Sequence, residues 1–217
     1  MRSIAGAFGV ALVAISVGSV MPEGPGSSGL RLTVTRDEGT TEATCVLIAR
    51  DEAVKRNDGA TETVLHFLTA GRPFRRSDGE PLPSARAITI TLEPGHTIQV
   101  KPDGLTLAAG TSVNIAILRA VAQEISIVPT PLAFHEPPAG TAFAVSGWNS
   151  GQVPTAVTQH VTRRSTLLLI GDSELSTLVG CVGAPATTEY GVFGIVTQCD
   201  AGRPPVVSLL AAARRWI

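Results

Sequence analysis

The chain has 217 residues, with 17 basic and 18 acidic side chains and a formal net charge of −1. A nearly neutral chain lacks the basic surface that binds nucleic acid, so we predict no nucleic-acid partner. No cysteine and histidine stand at the spacing of metal ligands, so we predict neither a metal site nor a cofactor. The length suffices for one large or two small hydrophobic cores.

The first segment has the layout of a secretory signal. Arg2 precedes an apolar run over 4–20, and a Pro/Gly/Ser-rich stretch over 21–29 follows. We predict a signal peptide over 1–22, a flexible segment over 23–29, and a secreted or periplasmic protein. The alternative is an uncleaved anchor, because the apolar run is nearly long enough to span a bilayer. Only in that case do we expect the protein to be attached to a membrane.

The three cysteines have different surroundings. Cys181 and Cys199 flank the apolar run over 191–197 and are able to close one loop, which an exported protein permits. A bridge requires their Cα atoms to lie roughly 4.4–6.8 Å apart. Cys45 begins the apolar run over 45–49, so we expect it to be a small buried hydrophobic residue.

After the N-terminal segment, short apolar runs alternate with turn residues. The pattern predicts, in chain order, strands at 30–35, 44–49, 63–70, 87–92, 97–100, 113–119, 126–128, 141–148, 156–162, 165–170, 178–182 and 192–197. The residues over 93–96 form a turn that joins two of these strands in a hairpin. We predict one helix in the chain, over 206–217. Many strands spaced about ten residues apart, with one terminal helix, predict barrels or a sandwich.

One stretch combines an apolar run with residues able to do chemistry. The run over 167–170 ends in Gly171, Asp172 and Ser173. Such a turn between buried strands can present a serine hydroxyl and backbone N–H groups at one edge, which is the geometry that acyl transfer requires. Because a serine alone is a poor nucleophile, catalysis also requires a base that reaches Ser173.

Histidine is the usual base, and the chain has four of them. No motif surrounds any of the four, which are His66, His96, His135 and His160. The position of His66 beside Phe67 in a predicted strand is typical of a histidine packed within or beside a core.

Seven stretches, in the same order, resemble the trypsin/chymotrypsin-like serine proteases. They are 45–49 (an early core strand), 64–72 (the family's V-L-T-A-A-H), 114–119 (D-I-A-L-L-R), 145–148 (V-S-G-W), 171–173 (the start of G-D-S-G-G-P), 194–197 (G-I-V-S) and 205–217 (a closing strand and helix ending in W-I). The resemblance covers essentially the whole mature chain. It implies an all-β fold of two packed antiparallel six-stranded β-barrels with a C-terminal α-helix, the first barrel over 30–122 and the second over 123–217.

The resemblance carries over only part of the catalytic machinery. Arg72 stands at the family's histidine position, and arginine cannot be deprotonated to act as a base. Asn114 stands at the aspartate position, where a neutral amide supplies no charge to stabilise an imidazolium. Ser173 aligns with the nucleophile, and Gly171 is a candidate donor of an oxyanion N–H. The family's next glycine is replaced by Glu174, whose carboxylate would crowd and oppose an oxyanion.

Three hypotheses follow. In the first, the chain is a non-catalytic protease homologue that binds an unidentified protein or peptide. In the second, it is an active serine endopeptidase with Ser173 as nucleophile and an unaligned base; His66 does not serve, because it lies six residues before Arg72, roughly 20 Å along a strand. In the third, it is an unrelated β-rich structural module. Losing a triad member costs on the order of 10⁴- to 10⁶-fold in rate, which favours the first.

These hypotheses lead to two expectations about the structure. Arg72 and Asn114 should face the cleft between the barrels near Ser173. Alternatively, the turn over 171–173 is only a turn, and the nucleophile position itself is deleted.

Overall fold

Two antiparallel β-sheets account for nearly all the regular structure in the computed structural model of the chain. The structure describes residues 29–51, 54–55, 61–75, 87–93, 95–108, 114–122, 127–150 and 153–217. The predicted signal peptide, and all of the predicted flexible segment except Gly29, lie outside these residues. Within the described ranges, no helix combines the length and the apolar character needed to cross a membrane.

The first sheet comes from the N-terminal half of the chain. Its strands are β1 (Leu30–Arg36), β2 (Gly39–Arg50), β3 (Val54–Lys55), β4 (Thr61–Ala70), β5 (Ala87–Glu93), β6 (His96–Val100), β7 (Leu105–Leu107) and β8 (Ile115–Ala122). Their order is β6-β5-β1-β2-β4-β8-β7, and β3 pairs only with β4. Short 3₁₀ turns follow β4 (Arg72–Phe74) and β6 (Pro102–Gly104). Side chains of β1 point alternately to the two faces of the sheet, so Leu30, Leu32 and Val34 point into the core.

The second sheet comes from the C-terminal half. Its strands are β9 (Ala142–Trp148), β10 (Pro154–His160), β11 (Arg163–Arg164), β12 (Leu168–Ile170), β13 (Pro185–Thr188), β14 (Gly191–Gln198) and β15 (Val206–Leu209), followed by helix α1 (Leu210–Ala213). Their order is β10-β9-β13-β14-β15-β12-β11. A disulfide joins Cys181 to Cys199, with the Cα atoms 6.2 Å apart, inside the range expected from the sequence.

Each sheet curls around a core of its own. Leu32, Phe67 and Ile90 are buried inside the first sheet, and Phe143 and Phe193 are buried inside the second. A third apolar cluster lies where the two sheets meet. It contains Val46, Leu68, Ala70 and Ile115 from the first half and Val192, Ile195, Leu210 and Ala213 from the second. The two sheets therefore share an apolar contact.

The predicted all-β fold with two curled sheets and a terminal helix is confirmed, with differences in detail. The sheets have eight and seven strands instead of six each, because the short strands β3, β7 and β11 extend them at their edges. The predicted hairpin at 93–96 is present between β5 and β6.

Three of the local predictions were wrong. Residues 178–182 form turns instead of a strand, since Gly180 and the next glycine, Gly183, have φ values of +62° and +91° that interrupt an extended chain. The described residues 127–130 form no strand. The helix predicted over 206–217 starts only at Leu210, because β-branched Val206 and Val207 pair with β12.

Candidate functional site

A cleft of about 440 Å³ opens between the two sheets. The first half contributes Arg72, at the end of β4, and Asn114, just before β8. The second half contributes the remaining lining residues, which are Leu168, Thr197, Gln198, Val206 and Ser208. The structure therefore brings Arg72 and Asn114 together at the cleft, as the sequence predicts, but Ser173 does not line it.

Arg72 and Asn114 are held side by side by the backbone between β4 and β8. The Gly71 N–H donates to the Asn114 carbonyl oxygen at 2.9 Å. A Cβ atom at residue 71 would lie 2.8 Å from Asn114 Oδ1, so glycine permits the close approach. Asn114 Oδ1 is buried and accepts no hydrogen bond from the described residues. The Arg72 side chain is 58% exposed, and its Nη1 lies 3.9 Å from Asp200 Oδ1.

The cleft lining offers hydrogen bonds but no imidazole. Arginine stays protonated at any workable pH, and amide and hydroxyl groups are too weakly basic to take a proton. The hydroxyls of the second sheet are already engaged, since Ser208 Oγ donates to Thr197 Oγ1 at 3.2 Å and Thr197 Oγ1 donates to the Val206 carbonyl at 3.3 Å. The seven lining residues can bind a ligand, and none of them can act as a general base.

Ser173 lies against β10 through the side chain of Gln159. Gln159 is fully buried, and its Nε2 donates to Ser173 Oγ at 2.9 Å. Its Oε1 accepts from the N–H groups of Asp172 and Ser173, both at 3.2 Å. The Gln159 side chain therefore replaces a backbone ladder between β10 and the turn. Because the turn directly follows β12, these bonds connect β10, at one end of the strand order, with the other end of the second sheet.

Asp172 completes this closure. The backbone N–H of His160 donates to Asp172 Oδ1 at 3.0 Å, and His160 Nδ1 lies 2.8 Å from Oδ2. The pKa of the Asp172 carboxyl is lowered, chiefly because the His160 N–H stabilises the ionised form. Ser173 Oγ also lies 3.5 Å from Asp172 Oδ1.

Two roles suggested by the sequence do not fit this geometry. The Gly171 N–H donates to the Pro205 carbonyl at 3.1 Å, so it is occupied and cannot serve an oxyanion. Gly171 is a glycine for packing reasons, since a Cβ there would lie 2.4 Å from Gln159 Oε1. Glu174 turns away from the serine, and its Oε2 accepts from the Gly202 N–H at 2.8 Å.

None of the four histidines, all of which the structure describes, bonds to Ser173 Oγ. His66 Nε2 lies 3.1 Å from Asp51 Oδ2. His135 makes ring contacts with Tyr190 and Phe193. His96 is exposed at the start of β6, and His160 contacts Asp172 instead of the serine. Within the described residues, no group of three or more His, Cys, Asp or Glu side chains is arranged to hold a metal ion.

The segment before β13 lies close to Thr44 of β2 and Thr69 of β4. The carbonyl of Val182 accepts from the Thr44 N–H at 2.8 Å. A Cβ at Gly183 would lie 2.0 Å from the Thr44 carbonyl and 2.3 Å from Thr69 Oγ1. This backbone therefore passes tightly against β2 and against β4, the strand that ends two residues before Arg72.

A sequence signal for this placement was present but weak. The residues over 183–185 read Gly-Ala-Pro and differ at one position from the last three residues of G-D-S-G-G-P. Aligned in this way, Val182 occupies the position of the motif's serine. The Gly-Asp-Ser at 171–173 favoured the other alignment, because it matches the motif through its serine.

Solved structures resemble the chain over most of its length. A thermostable serine protease, AL20, from an extremophilic microorganism has 12% identity and a TM-score of 0.60 over 88% of this chain and 95% of that one. HL collagenase has 13% identity and a TM-score of 0.62 over 88% and 91%. The scabies mite inactivated protease paralogue S-D1 has 14% identity and a TM-score of 0.59 over 88% and 93%. No family model and no curated protein sequence matches the chain. At these identities the likeness establishes the fold alone.

Proposed function

We propose that this chain is an exported, non-catalytic homologue of the trypsin/chymotrypsin-like serine proteases that binds a protein or peptide in the cleft between its sheets. The observation that carries the proposal is the pair of residues at the cleft. Arg72 and Asn114 stand where the family has its histidine and aspartate, and neither can take up a proton.

Neither alignment provides a serine hydroxyl in the cleft lining. Ser173 Oγ is bonded to Gln159 on β10 and lies outside the cleft lining. Val182, the alternative position, has no reactive atom. A serine without a base loses several orders of magnitude in rate, and a valine has no acyl-transfer chemistry at all. The scabies mite structure carries the description of an inactivated protease, which is compatible with this fold persisting without activity.

Binding remains available to the cleft after its chemistry is lost. Its volume of about 440 Å³ is within the range of ligand sites, roughly 300–1,000 Å³. The lining combines one cation, several amide and hydroxyl groups, and the apolar Leu168 and Val206. This mixture suits a peptide segment that donates to Asn114 Oδ1 and covers the apolar wall.

Export is supported by two independent features. The N-terminal residues have a signal-like composition. The disulfide between Cys181 and Cys199 forms and persists in oxidising compartments. A mass measurement on the protein collected outside the expressing cytoplasm tests both, because it gives the mature N-terminus and the two hydrogens lost on oxidation. A chain that keeps residues 1–22 there contradicts cleavage.

A serine-directed fluorophosphonate tests the loss of catalysis. We expect no labelling of the native protein, and no difference between it and the Ser173→Ala variant. Labelling that the Ser173→Ala variant abolishes would establish the second candidate, an active hydrolase.

The cleft itself is tested with peptides selected on the immobilised protein from a displayed random library. We expect Leu168→Arg to abolish binding of the selected peptides, because Leu168 is a cleft-lining side chain. Leu167→Arg is the matched control, since Leu167 is equally exposed, at 37% against 38%, and lies outside the lining. Peptides that bind both variants equally would place the binding surface elsewhere.

One observation favours the active hydrolase as a second candidate. Ser173 Oγ, Asp172 and His160 form a connected group, with the carboxylate between the hydroxyl and the imidazole. Among the residues that the structure describes, this order makes Asp172 the only group in contact with the hydroxyl that could accept its proton. The lowered pKa of Asp172 makes it a weaker base, so this arrangement supports catalysis less well than it supports a closed turn.

A further inference from the structure

The outer edge of β10 is open along its middle. In the described part of the chain, β10 pairs with β9 on one side and ends the strand order of the second sheet. Natural edge strands are usually protected by charged side chains, bulges or a covering segment, because unpaired backbone groups attract another strand. The residues over 155–158 read Thr-Ala-Val-Thr and carry no charge.

The hydrogen bonds at the ends of the ladder show which residues face outward. The Val161 N–H donates to the Thr141 carbonyl, and the Asn149 N–H donates to the Val153 carbonyl. Because bonded pairs alternate along an antiparallel ladder, Val157 bonds to β9, whereas Ala156 and Thr158 direct their N–H and C=O groups away from it. His160 lies two residues after Thr158, so its N–H also points away from β9, and it donates to Asp172 Oδ1.

Both ends of this edge are closed, and its middle is not. Pro154 has no N–H, and the His160 N–H is taken by Asp172. Between them, the N–H and C=O groups of Ala156 and Thr158 have no ladder partner among the described residues, and both residues are exposed. Four backbone groups therefore remain available at adjacent outward-facing positions.

A groove of about 650 Å³ is lined by the edge residues 155–158. The other residues that line it include Ser176, Thr177 and Val179, and the Val179 N–H donates to the Trp148 carbonyl of β9. A five-residue strand occupies roughly 17 by 4.8 by 10 Å, or about 800 Å³, so the groove has the size of one short strand. All the lining residues within the described ranges are uncharged, and Val179 is 41% exposed.

We propose that the groove binds an extended, uncharged peptide segment of a partner protein, which adds to β10 as one further strand. Ala156 and Thr158 supply four backbone hydrogen bonds, and Val157 and Val179 contact the apolar side chains of the segment. A charged segment is disfavoured because the lining has no counter-charge to offset its desolvation. None of these residues lines the cleft, so the proposal stands whether or not the cleft is catalytic.

The test uses a capped heptapeptide of alternating valine and threonine, N-methylated at each threonine so that only one edge can form hydrogen bonds. The readout is amide hydrogen exchange by NMR on the purified protein. We expect saturating peptide to slow exchange at Ala156 and Thr158 at least tenfold, while Val157, already bonded to β9, is unchanged. Each of the four backbone hydrogen bonds should strengthen binding roughly five- to tenfold. Relative to a 1 M standard state, the peptide should then bind with a dissociation constant on the order of 0.1–1 mM.

Ala156→Pro removes an outward N–H without touching the ladder to β9, and we expect roughly five- to tenfold weaker binding. Ala156→Val is the matched control, because it enlarges the same side chain and keeps the N–H; its affinity should stay within twofold. Thr158→Pro repeats the test at the second position, and the thermal unfolding midpoint of each variant shows whether it is folded.

Four results would overturn the proposal. They are the absence of protection at 1 mM peptide, equal protection by a peptide N-methylated at every residue, native-like binding by the folded proline variants, and protection that rises with protein concentration in the absence of peptide. The last would assign the edge to a second copy of the chain.

Discussion

Replacing Gln159 with leucine tests whether the Gly-Asp-Ser turn serves the fold. The Gln159→Leu variant keeps the apolar packing volume but removes the acceptor for the N–H groups of Asp172 and Ser173. An unsatisfied buried N–H costs about 1–3 kcal/mol. Since both residues are exposed and water can reach the turn, the lower limit applies to each, giving about 2 kcal/mol in total. For a chain of this length that corresponds to a fall of about 4–8 °C in unfolding temperature.

Urea denaturation followed by circular dichroism measures the effect. Ser173→Ala removes one accepted bond and leaves Gln159 Nε2 without its partner, so we expect about 1 kcal/mol of destabilisation. Ser176→Ala, a change of the same kind at an exposed serine nearby, should stay within about 0.5 kcal/mol of the native protein. If Gln159→Leu is as stable as the native protein, the closure of the second sheet by this side chain is refuted. If Ser173→Ala keeps its stability and loses a hydrolytic activity, the hydroxyl is a nucleophile.

Four further predictions follow from the structure. In an NMR titration, His160→Ala should raise the lowered pKa of Asp172 only in part, because the backbone N–H of residue 160 remains; a full return to the ordinary value would contradict the assigned cause. Because that pKa is depressed, the stabilisation by Asp172 is present above the ordinary carboxyl range and is lost as pH falls through the lowered value, so Asp172→Asn should flatten the acid limb of the stability curve. Replacing Cys181 and Cys199 together by serine should cost about 3 kcal/mol for a loop of this length, measured by denaturation; a loss below about 0.5 kcal/mol would show that the bridge is dispensable. Burial raises the pKa of the Cys45 thiol, so iodoacetamide should modify it only in the unfolded protein, and rapid labelling of the folded protein would show that the core opens there.

The strands that alternate strictly could be predicted from the sequence. In β1 the period of two and the turn that follows are local properties, and the hairpin at 93–96 depends on a glycine with φ of +84°. Arg72 and Asn114 could be placed at the cleft because both sit at strand ends within long matching stretches. These predictions needed no contact between distant parts of the chain.

The position of Ser173 could not be obtained in the same way. A Gly-Asp-Ser triplet suits a structural turn as well as a catalytic one, and the difference lies in which distant strand it bonds. Here Gln159, fourteen residues earlier, takes the bonds. The close approach of Gly183 to β2 and β4 is likewise a long-range contact, because it depends on Thr44 and Thr69. β13 was missed because it begins with Pro185, a residue that discourages a strand assignment.

The apolar cluster where the two sheets meet has a consequence for how the molecule comes apart. Val46, Leu68 and Ile115 share this cluster with Val192, Ile195 and Leu210 of the opposite half, and the C-terminal residues Trp216 and Ile217 pack onto it. Neither half can melt without exposing the other's hydrocarbon to water. The molecule should therefore unfold in a single cooperative transition, and removing its last few residues should weaken both halves at once.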